Sequence, residues 1–88
     1  MRVSNKNCRE LVINRRDFTA NNIFGETNGR GVYAVYSYGY HFPLYANING
    51  QWYGNADKYS VSTSRHYSQA NPLVPVIMVS TNELKAMI

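Results

Sequence analysis

Gly31-Val32-Tyr33-Ala34-Val35-Tyr36-Ser37-Tyr38-Gly39-Tyr40-His41-Phe42-Pro43-Leu44-Tyr45, followed by Asn49-Gly50 and Trp52-Tyr53, is the stretch whose reading decides this fold. Val32 to Tyr38 alternates β-branched and aromatic residues, the pattern of a strand. His41 to Ile48 reads as a second strand and Gln51 to Asn55 as a third. Asn49-Gly50 joins the last two, because a type I′ hairpin turn needs positive φ at both central residues and these two residue types tolerate it. An antiparallel meander over 32–38, 41–48 and 51–55 is expected.

Turn geometry sets the register. A two-residue Asn49-Gly50 turn puts Ile48 opposite Gln51, Asn47 opposite Trp52 and Ala46 opposite Tyr53. A two-residue Gly39-Tyr40 turn puts Tyr38 opposite His41 and Val35 opposite Leu44. Side chains alternate between faces with period 2. One face then holds Tyr33, Val35, Phe42, Leu44, Ala46, Ile48 and Tyr53 as core. The other holds Tyr36, Tyr38, His41, Tyr45, Asn47 and Trp52. Pro43 objects, since it cannot donate to a ladder. A bulge at His41-Phe42-Pro43, or a wider Gly39 turn, answers it by slipping the first strand one residue and exchanging its faces.

Outward from this centre the signals are local. Arg9 to Ile13 reads as a first strand or a helical start. The asparagine-rich Asn14 to Gly25, anchored by Phe18 and Ile23, reads as a loop with at most one helical turn. Glu26 to Arg30 is a turn. Thr63 or Ser64 caps a short helix running to Ala70 that Asn71-Pro72 ends. Val74 to Val79 is a strand, and Ser80-Thr81-Asn82-Glu83 is a capping box opening a C-terminal helix from about Thr81. The expected fold is α+β: a meander of three to four strands, a C-terminal helix, and a short helix or helical turn near 63–70.

At 88 residues the chain reads as one domain over 1–88, near the size where a single core is barely sufficient. Nine Lys and Arg against five Asp and Glu leave a net charge of +4, which suits phosphates or an acidic partner but falls short of a histone-like tail. Cys8 is the single cysteine, which excludes an internal disulfide and a multi-cysteine zinc site. The lone thiol suits a reducing compartment. No apolar run reaches membrane-spanning length, and the N-terminus lacks a signal-peptide core. Placement in the cytosol of a host cell, without a membrane partner, is the expectation.

Phe18-x-x-Asn21-Asn22, Tyr33-x-Val35-Tyr36-Ser37-Tyr38-Gly39-x-His41-Phe42-Pro43-Leu44 and Trp52-Tyr53-x-Asn55-x-Asp57-Lys58-Tyr59-Ser60-x-Ser62-Thr63-Ser64-x-His66-x-Ser68-Gln69 resemble an uncharacterised family. Its members are small proteins carried mainly by bacteriophages, plasmids and other mobile elements. The resemblance covers roughly residues 18 to 72 and leaves 73–88, the C-terminal strand and helix, outside. It implies DNA metabolism or interference with host defence as themes, and it supplies no catalytic residue.

Eight tyrosines are more aromatic surface than one small core absorbs. Unpaired bases stack on such rings, so Tyr36, Tyr38, Tyr45 and Trp52, with His41, form the expected single-stranded nucleic-acid face. The other reading of that face is a second core layer. Lys58 and Arg65, with His66 and the hydroxyls between them, form a candidate phosphate cradle; the alternative is a loop that caps a helix and pins the sheet. Tyr, Trp and Arg are equally the residues of protein-interface hot spots, which makes an inhibitor of a host or defence protein the alternative function. A two-histidine phosphoesterase built on His41 and His66, with Lys58 or Arg65 stabilising charge, is a further one. A metal site would need His41, His66, Asp57 and Cys8 to converge, and their spacing does not favour it. Neither metal, cofactor nor catalytic residue is assigned. Homodimerisation is open.

Overall fold

Asn49 and Gly50 stand at φ 53° and 85°, the two left-handed positions their residue types predict. Ile48 pairs with Gln51, Asn47 with Trp52 and Ala46 with Tyr53, in the expected register. The computed structural model describes residues 1–57 and 60–88. Around this hairpin the described residues build one six-stranded sheet in the order β1-β2-β3-β4-β5-β6. The strands are β1 (Phe18–Ala20), β2 (Ile23–Thr27), β3 (Tyr33–Ser37), β4 (Pro43–Ile48), β5 (Gln51–Asn55) and β6 (Ile77–Val79). Neighbours are antiparallel through β5, and β6 runs parallel to β5. Three α-helices accompany them: α1 (Arg9–Ile13), α2 (Val61–Gln69) and α3 (Thr81–Met87). The class is α+β, with more strands than the three to four expected.

The two additional strands lie where a loop is expected. Ala20 pairs with Ile23, so Asn21-Asn22 is itself a hairpin turn, with Asn22 at φ 61°. Asparagine tolerates the left-handed region better than other side-chain-bearing residues, and here it makes a turn rather than a long loop. Arg9 to Ile13 resolves as helix. The N-terminus runs beside β1: Thr19 N–H donates to Met1 O at 2.7 Å and Val3 N–H to Thr19 O at 2.9 Å. One edge of the sheet is therefore covered.

Pro43 begins β4, and the irregularity it signals lies one residue further on. Tyr36 pairs with Pro43 but Val35 pairs with Tyr45, which leaves Leu44 as the extra, bulged residue. The slip exchanges the faces of β3 beyond the bulge. Tyr33 and Val35 join Tyr45 and Trp52 in one cluster; Ala34 and Tyr36 join Ala46 and Tyr53 in the other. Leu44 packs in the same cluster as Tyr45, so the expected opposition of these two residues does not hold. A bulge places two consecutive residues against one partner position, which defeats a strict period of 2.

Both faces of the sheet are covered. Cys8, Val12 and Ala70, with half-buried Leu11 and Tyr67, pack α1 and α2 onto the Tyr33–Tyr45–Trp52 face. Leu84 and Ile88 pack α3 onto the Ala34–Tyr36–Ala46 face. Ser60, not Thr63 or Ser64, caps α2: its Oγ accepts from Thr63 N–H at 3.1 Å. The helix ends before Ala70 and Asn71-Pro72 as expected. Arg9 ties α1 to that end, donating from Nε to Asn71 O at 2.9 Å and from Nη2 to Ser68 O at 2.6 Å. Ser80 and Glu83 form the expected capping box of α3.

Gly54 leaves room on the sheet for the Tyr67 side chain of α2. A Cβ there would stand 2.6 Å from Tyr67 Oη and 3.2 Å from Met78 Sδ. Gly54→Ala is expected to cost about 1–3 kcal/mol through overpacking, read as a lower urea midpoint at unchanged slope.

Candidate functional site

The residues chosen for an aromatic binding face do not share one. Tyr45 is 0% and Trp52 7% exposed. Tyr45 stacks on Tyr67 at 4.5 Å, meets Trp52 edge to face at 6.5 Å, and donates its hydroxyl to Tyr67 O at 2.9 Å. Burial pushes its phenol pKa up. Tyr36 is buried on the opposite face, stacked on Phe24 at 5.1 Å. None of these three rings presents a face to a base in the folded chain. Covering them is the work of α1, α2 and α3, and the second-core-layer alternative describes these three.

What the structure does bring together is smaller. Tyr38 is 52% exposed at φ 67°, and its ring lies 5.4 Å from that of His66. Arg65, exposed on α2, is close enough to lower the His66 pKa. His41 is exposed in the loop after β3, and no hydrogen bond or ring contact among the described residues joins it to His66. Lys58 lies outside the described residues. His66 shares a 2.8 Å hydrogen bond, Nδ1 to Ser37 Oγ, and both residues are buried. This pair pins α2 to β3. No group of three or more metal-ligating side chains is found among the described residues. Among these residues no helix is long and apolar enough to cross a membrane.

Burial, followed by the positive charge of Arg65, lowers the His66 pKa. An imidazole with a lower pKa folded than unfolded contributes stability that is full above the unfolded value of about 6.5 and is lost as pH falls toward the folded one. The thermal midpoint is expected to drop between pH 7 and pH 5, and His66→Gln to flatten that part of the profile.

Asp57 serves the sheet and α3 rather than a phosphate. Its Oδ2 accepts from Thr81 N–H at 2.9 Å and Thr81 Oγ1 at 2.7 Å, and those bonds hold its carboxyl below the usual range. Asn55 Nδ2 donates to Pro43 O and Thr81 Oγ1 in the same network. For Asp57 and Ser60 the helix-capping, sheet-pinning alternative therefore describes the segment better than a phosphate cradle.

The exposed feature is the far edge of the sheet. β6 follows Leu73, Val74, Pro75 and Val76, and no Asp, Glu, Lys or Arg occurs from His66 to Asn82. Leu73 is 65% and Met78 50% exposed, with Val74 and Ile77 about half exposed. Leu73 also stands at φ 60°, a strained position for a bulky residue. Val79 O accepts from Ala56 N–H at 2.7 Å, so Val79 turns its backbone groups toward β5. Alternation then turns the N–H and C=O of Met78 toward the open edge. Beside it, a cleft of about 150 Å³ opens between α2 and the end of β5, lined by Asp57, Thr63, Ser64, Tyr67 and Met78 among others. Of the strand expected over 74–79 only Ile77–Val79 forms, and that it would end a sheet depends on its parallel pairing, which no local signal carries.

Comparison with family models, with characterised proteins and with solved structures yields no match for this chain.

Proposed function

We propose that this chain is a non-enzymatic protein-binding module that takes up an extended segment of its partner along β6. The observation that carries the reading is an edge strand with half-exposed apolar side chains and no charged residue in its own stretch of sequence, from His66 to Asn82. Soluble proteins blunt such edges with lysine, proline or bulges, because unpaired backbone groups template pairing with another chain. β6 is short and follows Pro75, but it carries no lysine and no bulge. The outward backbone groups of Met78 are what β-augmentation uses, with main-chain bonds for affinity and side-chain pockets for specificity. The buried Tyr36, Tyr45 and Trp52 remove the stacking platform that single-stranded nucleic acid would need. The two exposed tyrosine rings among the described residues do not replace it: Tyr38 lies against His66, and Tyr40 is held edge-on to Phe24 and Tyr36. The resemblance to mobile-element proteins makes a host or defence protein the partner class, and inhibition the consequence.

The test is a pull-down from bacterial lysate with the chain immobilised, carried out with and without nuclease and with Ile77→Lys in parallel. A protein retained after nuclease and high salt, and lost with Ile77→Lys, supports the reading. Retention that nuclease or salt abolishes restores the nucleic-acid function, since phosphate-driven binding falls steeply with salt.

A further inference from the structure

We infer that the cleft between α2 and the β5–β6 end is a guanidinium or ammonium pocket, filled by an arginine or lysine of the segment paired on β6. This rests on β6 being the docking edge, and it adds what the partner's sequence must contain. Met78 belongs to both features: its backbone faces the open edge, and its side chain lines the cleft. Met78 pairs with Gly54, on the sheet face that Tyr67 covers, and Tyr67 Oη donates to Met78 Sδ at 3.3 Å. A strand added to β6 lies about 5 Å beyond it, so its residue on that face stands at the cleft mouth.

The lining selects the side chain. The ring of Tyr67 and the thioether of Met78 offer apolar walls, while Thr63 and Ser64 offer hydroxyls. Asp57 supplies the charge. Its Oδ2 is taken by Thr81, and its Oδ1 accepts no hydrogen bond among the described residues. Its charge also acts on Glu83. No described residue of the lining is a cation. The Asp57 carboxylate repels an anion, and a short apolar side chain leaves it unmatched. A long side chain with an apolar stem and a cationic head fits both parts, and a guanidinium pairs with a carboxylate through parallel N–H donors. The volume is about that which admits one benzene-sized group, enough for a single side chain.

The experiment titrates ¹⁵N-labelled protein with blocked, threonine-rich seven-residue peptides of alternating Val and Thr that carry Arg, Gln or Glu at one central position. The Arg peptide is expected to bind about 2–5-fold more tightly than the Gln peptide, and the Glu peptide more weakly than either. Shifts should fall on Ile77, Met78 and Val79 with every peptide that binds, and on Asp57 and Ser64 with Arg. Asp57→Asn should erase the Arg preference. Because Asp57 also anchors α3, Ser64→Lys serves as the second variant: it should erase the same preference of Arg over Gln while β6 shifts persist with the Gln peptide. Equal Arg and Gln affinities with β6 shifts overturn the pocket and leave the docking edge standing. Absence of β6 shifts with every peptide overturns both.

Discussion

Tyr45→Ala is expected to lower the stability of the chain by about 3–5 kcal/mol, the usual result of removing a fully buried ring. A domain of this length has a total of roughly 4–13 kcal/mol, so the loss runs from about a quarter of that total to all of it. Three contacts fail together. The ring leaves a void between Tyr67 and Trp52, the stack on Tyr67 is lost, and Tyr67 O loses the hydroxyl that satisfies it. Tyr45→Phe separates the terms: it keeps the ring and loses only the hydrogen bond, which costs about 1 kcal/mol. Urea denaturation followed by tryptophan fluorescence reads both, since Trp52 lies against the deleted ring. A base-stacking tyrosine would behave in the opposite way. Its removal would leave the unfolding midpoint in place and weaken oligonucleotide binding. A Tyr45→Ala variant as stable as the wild type would mean that the ring is not under α2.

The central hairpin was legible because its information is local. Asn49-Gly50 admits few turns, and once the turn is fixed the pairing of Trp52 with Asn47 follows by counting. Ser80 and Glu83 are likewise legible, since a capping box is complete within four residues. Leu44 shows where counting stops. Pro43 announces an irregularity, but whether the extra residue is His41, Phe42 or Leu44 depends on how β3 packs against α2, a contact between distant parts of the chain. That one residue decides whether Tyr36 or Val35 shares a face with Trp52.

The aromatic surplus failed as a functional signal for a related reason. Composition reports how much ring surface must be buried or shown, not which. The answer here comes from Cys8, Val12 and Ala70 on one side and Leu84 on the other, four residues scattered through the sequence. Asn21-Asn22 was misleading in the opposite sense, since asparagine suits a tight hairpin turn and a long loop equally well. The docking edge lay in the segment that the resemblance does not reach. Its apolar character was plain in the sequence, but its exposure was not. A run such as Val74 to Val79 is as consistent with a central strand as with an edge one, and only the parallel pairing to β5 places it at the edge.

Met78→Pro is expected to abolish partner binding, by about 100-fold or roughly 3 kcal/mol, while changing stability by less than about 1 kcal/mol. The separation follows from the alternation of backbone groups along β6. Val79 points its carbonyl at Ala56, and Ile77, two residues back, points the same way. Those inward groups hold β6 to β5, and proline at 78 leaves them intact. The N–H it removes is the one that faces outward, and proline is tolerated on edge strands at such positions. A partner segment loses its central donor and meets the pyrrolidine ring instead. Ile77→Lys reaches the same end by another route, placing a charge on an edge that has none from His66 to Asn82. The two variants should agree in losing the captured protein and in keeping the far-ultraviolet spectrum and unfolding midpoint of the wild type. Val79→Pro is the contrast, because its N–H belongs to the inward ladder, and it should lower the midpoint. Should Met78→Pro and Ile77→Lys both retain the partner at wild-type affinity, the partner sits elsewhere. The exposed Tyr38 ring beside His66 would then be the next place to look.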